Sequence, residues 1–192
     1  MRVITGNLRG KRLFSPKGRE LRPTSDRVKE AIFNILQDQF QGQNVLDLFA
    51  GTGALGIECL SRGASKAVFV DESPRSLSAL RRNIEECRLK DKAEVLGRKV
   101  LPALKILEAR GEAFELIFLD PPYDKGEARR VLEVLSRSSI LTPGTLVVAE
   151  HSLSEGIDSI SSLQRVDRRK YGRTLVSFFR PEKESPDSPP FG

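Results

Sequence analysis

From Val45 onward, short apolar runs alternate with stretches whose apolar residues recur every three or four positions. The runs Val45–Phe49, Ala67–Val70, Ala93–Leu96, Phe114–Leu119 and Leu146–Ala149 have the length and composition of buried strands. Between them, Ala54–Leu60, a helix beginning at Ser73-Pro74, Leu101–Leu107 and Ala128–Leu135 have helical spacing. Ser73 suits a cap and Pro74 a first turn, and Leu77, Leu80, Ile84 and Cys87 then share one face. Strands alternating with helices predict a parallel, doubly wound α/β sheet covered on both faces. The pattern changes at both ends. Arg2–Thr5 and Lys11–Phe14, around Gly6-Asn7, predict a short hairpin. A helix then starts at Ser25 or Asp26, with Val28, Ile32, Ile35 and Leu36 on one face and Gly42 closing the unit. Near the other end, Leu163–Asp167 and Thr174–Phe179 predict an antiparallel hairpin with Gly172 between them.

In a doubly wound sheet, ligands bind beyond the carboxyl ends of the strands, near the reversal of strand order. Two motifs fall on that edge. The first strand runs into Asp47-Leu48-Phe49-Ala50-Gly51-Thr52-Gly53-Ala54-Leu55-Gly56. Gly51, Gly53 and Gly56 satisfy G-x-G-x-x-G, and Asp71 ends the next strand. That is the dinucleotide fingerprint, in which a pyrophosphate sits at a helix N-terminus and an acid holds a ribose. The same glycines could serve only a tight turn. Asp47 argues against a pyrophosphate, because its carboxylate would crowd it with like charge. S-adenosylmethionine has no phosphates and carries a sulfonium and an ammonium, while its ribose still wants an acceptor such as Asp71. The loop therefore points to a methyl donor.

The second motif, Asp120-Pro121-Pro122-Tyr123, ends the fourth strand and should face the first. Prolines there could be a blunt stop, since neither has an N–H to continue a ladder. They also fix a backbone carbonyl. The Asp120 carboxylate and the Pro121 carbonyl could each take one N–H of a planar nucleobase amine, favouring a nitrogen whose lone pair points at the donor's methyl. Tyr123 offers a ring for base stacking. Otherwise it packs as core.

Composition narrows the partner. The net charge of +6 is not evenly spread. Residues 1–30 hold nine Lys/Arg against three Asp/Glu, and residues 165–183 hold seven against two, which favours a polyanion such as nucleic acid. Either cluster alone reads equally as a solvated surface. Cys59 and Cys87 lie in helical stretches with no Cys-x-x-Cys, and His151 is the only histidine, so zinc is not expected and the thiols are expected free in a reducing compartment. No apolar run approaches a membrane span and no signal-peptide core is present, so a cytoplasmic location is expected. His151, at the end of the fifth strand, reads as a rim residue without a role. The tail 181–192, with four prolines and no periodicity, is expected to be disordered.

Taken together, Arg9-Gly10-Lys11-Arg12-Leu13, the stretch "LRPTSDRVKEAIFNIL" from Leu21, the Asp47–Glu58 loop and Asp120–Tyr123 resemble the RsmD family of bacterial methyltransferases. The resemblance extends to about Arg180. It implies a Rossmann-like class I methyltransferase of one domain over residues 1–180, with a basic hairpin and loop in 1–24 and a catalytic core in 25–180. The implied activity is methyl transfer from S-adenosylmethionine to the exocyclic N2 of a guanine in 16S ribosomal RNA, in an assembling small-subunit particle and by a monomer. Asp120, Pro121, Pro122 and Tyr123 are the expected catalytic residues. The donor is expected on Asp47, Phe49, Ala50, Gly51, Thr52, Gly53, Gly56, Asp71 and Glu72. RNA is expected on Arg9, Lys11, Arg12, Arg22, Thr24 and Arg27, although Arg27 reads equally as a helix-surface residue. After the third strand, where such enzymes often carry an Asp or Asn for the donor's adenine, this chain has Gly97-Arg98-Lys99.

Three alternatives stand beside this expectation. Asp-Pro-Pro-Tyr would equally serve a DNA adenine or cytosine amine, though no insertion large enough for site recognition is present. An NAD-dependent oxidoreductase shares the glycine pattern but conflicts with Asp47. A non-catalytic RNA-binding factor would have little use for Asp120 and Tyr123.

Overall fold

The computed structural model describes residues 1–16, 26–37, 40–122, 126–157 and 159–182. The helix α1 (Asp26–Leu36) precedes an alternating series: β1 (Asn44–Leu48), α2 (Ala54–Ser61), β2 (Lys66–Asp71), α3 (Pro74–Glu86), β3 (Ala93–Gly97), α4 (Val100–Ala109), β4 (Phe114–Leu119) and α5 (Glu127–Leu135). β5 (Leu141–Ser152), β6 (Leu163–Tyr171) and β7 (Thr174–Pro181) complete one seven-stranded sheet of order β3-β2-β1-β4-β5-β7-β6. The first five strands in that order are parallel, and β7 pairs antiparallel with both β5 and β6. The chain moves outward from β1 to β3 and returns to β4 on the other side of β1. The reversal therefore lies between β1 and β4.

Strand alternation sorts the core into two layers. Val45, Phe69, Phe118 and Val148 pack with Ile32 and Phe33 of α1, Ile57 of α2 and Leu80 of α3. Leu46, Val68, Ile117 and Val147 face Leu104 of α4 and Leu132 of α5. Asp47 shares the first face by its odd position, which aims its side chain under α2.

Three elements differ from expectation. β5 is longer than Leu146–Ala149 at both ends, running from Leu141 to Ser152. Thr142-Pro143-Gly144 looks like a turn, but the register with β4 shifts there and Thr145 bridges the irregularity. Its hydroxyl accepts the Thr142 N–H at 2.8 Å and donates to the Phe114 carbonyl at 2.6 Å. The far end of β5 is held by β7, with Glu150 opposite Val176 and Ser152 opposite Thr174. β7 itself runs through Pro181, and the Glu182 N–H donates to the Ser162 carbonyl at 3.1 Å, so the chain is structured past the expected start of the tail. Residues 183–192 lie outside the described residues.

The N-terminal hairpin is shorter than two strands. One bridge pairs Arg2 with Arg12, flanked by Val3 N–H to the Lys11 carbonyl at 2.9 Å and Leu13 N–H to the Met1 carbonyl at 3.0 Å. Side chains of the core hold it instead. Glu58 of α2, fully buried, accepts the N–H groups of Ile4 and Thr5 at 2.8 and 2.9 Å. Lys29 and Arg62 meet the same carboxylate at 3.4 and 3.0 Å. Ser61 accepts the Leu8 N–H, and Asn83 brackets Phe14 through both its N–H and its carbonyl. Gly6 is tied to this docking. It has φ of +82°, and a Cβ there would lie 1.9 Å from the Ser61 carbonyl oxygen.

Glu58→Ala would strand two backbone donors and remove the carboxylate from two buried cations. The expected loss is about 3–5 kcal/mol of unfolding free energy in urea titrations. Loss below about 1 kcal/mol would show that the arm is held by packing alone.

Candidate active site

A cavity of about 580 Å³ opens at the carboxyl ends of β2, β1, β4 and β5. Each of those strands delivers one carboxylate to it or to the residue just beyond: Asp71, Asp47, Asp120 and Glu150. By register Asp71, Asp120 and Glu150 stand at one level across the switch point, and Asp47 lies two residues lower on β1 between Asp71 and Asp120.

The loop between β1 and α2 forms the wall beside Asp47. Phe49 turns the chain with φ of +60°, a left-handed conformation rare for a side chain of its size. The Ala50 N–H then donates to the Val70 carbonyl at 2.9 Å, which lays the loop over the end of β2. Gly51 and Gly53 have φ of +55° and +80°. A Cβ on Gly53 would stand 2.4 Å from Leu80 Cδ1, and one on Gly56 2.3 Å from Phe69 Cε1. The first two glycines thus allow the turn, and the third lets α2 pack closely on β2.

Asp47 is 2% exposed, and its Oδ2 accepts the Gly56 N–H at 3.0 Å. The helix N-terminus therefore already holds an anion supplied by the chain. A pyrophosphate would compete with that carboxylate for the same backbone groups, which strengthens the case against a dinucleotide. Burial pushes the Asp47 carboxyl up from 3.8 to about 7; the Gly56 hydrogen bond opposes the shift, and nearby Asp71 adds to it. Asp71 bridges two turns, accepting the Gly51 N–H on Oδ2 and the Ser73 N–H on Oδ1, both at 2.8 Å. Its carboxyl is also raised, chiefly by burial, although those bonds favour the ionised form. Each oxygen keeps another lone pair for a hydroxyl.

On the other side of the switch, the Asp120 N–H donates to the Leu48 carbonyl at 3.4 Å, extending the β4 ladder by one residue. Pro121 is buried, Pro122 is exposed, and both line the cavity. The two motifs do face each other across one cleft. Tyr123, Arg22 and Thr24 lie outside the described residues. Arg9, Lys11, Arg12 and Arg27 are exposed and stand apart from the cavity lining. Arg168, Arg169, Lys170 and Arg173, on the edge strand β6 and its turn, are exposed as well. Tyr171, half-buried at the end of β6, brings that basic edge to the cleft.

Sequence reasoning missed Glu150, Tyr171 and Thr174, and it missed Met1 and Ser15 of the docked arm, all of which line the cavity. Glu150 follows the expected fifth strand, Leu146–Ala149, as Asp120 follows the fourth, and that position was its signal. His151 is not the expected rim residue. It is fully buried between β5 and β7, with Nε2 2.9 Å from Ser177 Oγ and Nδ1 3.2 Å from the Ser152 carbonyl. Its odd register turns it away from the face that carries Glu150. Arg98 and Lys99 do reach the cleft, at the start of α4.

A carboxylate under the loop suits the donor's cationic end, a second at β2 suits its ribose, and the glycine turn leaves space above them. These residues fit S-adenosylmethionine. Among the described residues no cluster of three or more metal-binding side chains occurs, and no helix is long and apolar enough to cross a membrane.

Comparison with known proteins agrees. The sequence pattern of the family described as conserved hypothetical protein 95 matches residues 1–180. Ribosomal RNA small subunit methyltransferase D of Haemophilus influenzae is 35% identical over 151 residues, 78% of each chain. The Escherichia coli K12 protein of the same name is 31% identical over 170 residues, 88% of this chain and 84% of the relative. The structure of the Escherichia coli protein yhhF superposes with a TM-score of 0.82 at 29% identity, covering 95% of this chain and 98% of that one. Carboxylates gathered at the switch point of a class I methyltransferase sheet, and kinship over almost the whole chain, lead to one conclusion: this chain belongs to the RsmD methyltransferase family.

Proposed function

We propose that the protein transfers a methyl group from S-adenosylmethionine to the exocyclic N2 of a guanine in 16S ribosomal RNA, in an assembling small-subunit particle, acting as a monomer in the cytoplasm. The observation that carries this is the juxtaposition of Asp120-Pro121 with the Asp47 loop across one cleft. The names of the relatives, which act on small-subunit ribosomal RNA, support the substrate class. The exposed basic residues on the N-terminal hairpin and on β6 support a polyanionic partner.

When bound, S-adenosylmethionine would supply an electrophilic methyl carbon on its sulfonium. Asp47 would hold the donor's cationic end, Asp71 and Glu72 its ribose, and the Phe49–Gly53 loop would line its place. Asp120 and the Pro121 carbonyl each accept one N–H of the target amine and aim its lone pair. The proton that the amine sheds on becoming methylated passes to Asp120 or to water. No strong base is needed.

Tyr123 follows Pro122 and is assigned to stacking on the extruded base. Tyr123→Phe is expected to stay within about threefold of wild type. Tyr123→Ala should cost roughly 5- to 150-fold in kcat/KM, the worth of one aromatic–base stack.

The decisive experiment offers labelled S-adenosylmethionine with assembling small-subunit particles, naked ribosomal RNA and duplex DNA. Label is expected in the particle, at a guanine located by mass spectrometry. Incorporation into DNA alone would favour an adenine or cytosine amino-methyltransferase instead.

A further inference from the structure

We infer that Glu150 is the residue that selects guanine, by accepting the N1–H beside the reacting amine. The inference rests on the proposed methylation of guanine N2 and names what makes that choice.

Glu150 follows directly on Ala149, which pairs with Leu119, and Asp120 follows Leu119. The two carboxylates therefore leave adjacent parallel strands at the same level, on the same face of the sheet. Glu150 is 8% exposed and lines the same cleft as Asp120 and Pro121. A carboxylate has about four lone-pair sites, so one this deep in the cleft can accept from a donor on a bound base.

The three nucleobase amines differ in what flanks them. The N6 of adenine has ring acceptors on both sides, N1 and N7. The N4 of cytosine has the acceptor N3 on one side and a carbon on the other. Only the N2 of guanine has a donor beside it, N1–H. With Asp120 and Pro121 taking the two amine hydrogens, the next atom along the guanine edge presents a hydrogen toward the next strand. There Glu150 gives it a charged acceptor. Adenine or cytosine turned into the same place would set a ring lone pair against a buried carboxylate. A site built around a buried hydrogen-bonding group rejects ligands that lack the partner far more strongly than an apolar pocket can.

2-Aminopurine separates the two ideas, since it keeps the 2-amine and replaces N1–H with an acceptor. The probe is a small-subunit particle in which the mapped guanine is exchanged for 2-aminopurine by ligation. Wild type is expected to methylate the guanine particle about 100-fold or more better. Glu150→Gln, nearly isosteric, presents an amide that can turn its NH2 to the acceptor, so the preference should collapse to near unity or invert. Glu150→Ala should lower guanine methylation to the 2-aminopurine level. Donor affinity and melting temperature, measured alongside, should stay near wild type for Glu150→Gln. Equal use of both particles by wild type, or an undiminished preference in both variants, would overturn the inference while leaving guanine methylation standing. Failure of wild type to label the guanine particle would instead remove the underlying reading, and is seen before any variant is made.

Discussion

Replacing Asp120 by alanine is expected to lower methyl transfer by about 10²–10³-fold, or more, while the affinity for S-adenosylmethionine changes by no more than about threefold. The asymmetry comes from the sheet. Asp120 lies just past β4, across the strand-order reversal from the Asp47 loop, which is why we assign its side chain to the acceptor and not the donor. Its backbone carries the link to Leu48, and alanine keeps that link, so the strand end should not shift. Removing the side chain takes away one of two acceptors that orient the amine lone pair, an interaction that matters most at the transition state. The effect should therefore appear in kcat more than in KM. Asp120→Asn keeps a carbonyl acceptor without the charge and should retain more activity than alanine. Single-turnover transfer rates and calorimetric donor binding measure the two halves. Turnover close to wild type in Asp120→Ala would sink the assignment, and loss of donor binding would move Asp120 to the other half of the site.

That the Asp47 loop and Asp120-Pro121 share one cleft was largely legible in the sequence, because its signals are local. Alternating strand and helix periods define the parallel sheet, and the sheet places Asp47 and Asp120 on one edge. Glycines at 51 and 53 announce a turn only glycine makes easily, with φ of +55° and +80°. What was not legible depends on pairing between distant segments. Phe49 adopts φ of +60° because the chain must reach the Val70 carbonyl, and nothing at position 49 says so. Lys29 and Glu58 look like exposed charges on amphipathic helices, yet both are fully buried because the N-terminal arm folds over them. Pro143-Gly144 reads as a turn until β4 and Thr145 are in place around it. Glu150 was overlooked beside His151 because a histidine invites chemistry, whereas strand alternation decides which of the two meets the cleft.

The cleft acids also differ in exposure. Of the four, Asp47 is the most fully withdrawn from water, and its hydrogen bond to Gly56 does not offset its desolvation. The donor's cationic end is the natural compensation. In that sense the empty-handed protein carries an unfavourable charge that ligand binding relieves, which couples stability, affinity and pH through one side chain.

Asp47→Asn is accordingly expected to stabilise the free protein and weaken its hold on the donor. The carboxyl titrates near 3.8 when unfolded and at about 7 when folded. Between those values the folded state binds more protons than the unfolded one, so Asp47 makes unfolding free energy fall as pH rises from about 4 to about 7, and its contribution levels off above 7. Asparagine keeps an oxygen for the Gly56 N–H and removes the charge. Urea titrations at pH 8 should therefore show a gain on the order of 1–4 kcal/mol, shrinking toward zero at pH 4. Donor binding runs the other way. In wild type, affinity for S-adenosylmethionine should rise as pH passes through about 7 and Asp47 ionises, with protons released on binding in that range. Asp47→Asn should bind on the order of 10- to 100-fold more weakly at pH 8, the usual worth of a charge-assisted hydrogen bond. Most of the pH dependence should vanish with it, and any remaining slope reports Asp71, which burial shifts in the same direction. Calorimetry in two buffers of different ionisation enthalpy reads both the affinity and the protons released. A variant that bound the donor as tightly as wild type, with the same proton release, would show that Asp47 serves the loop and not the ligand.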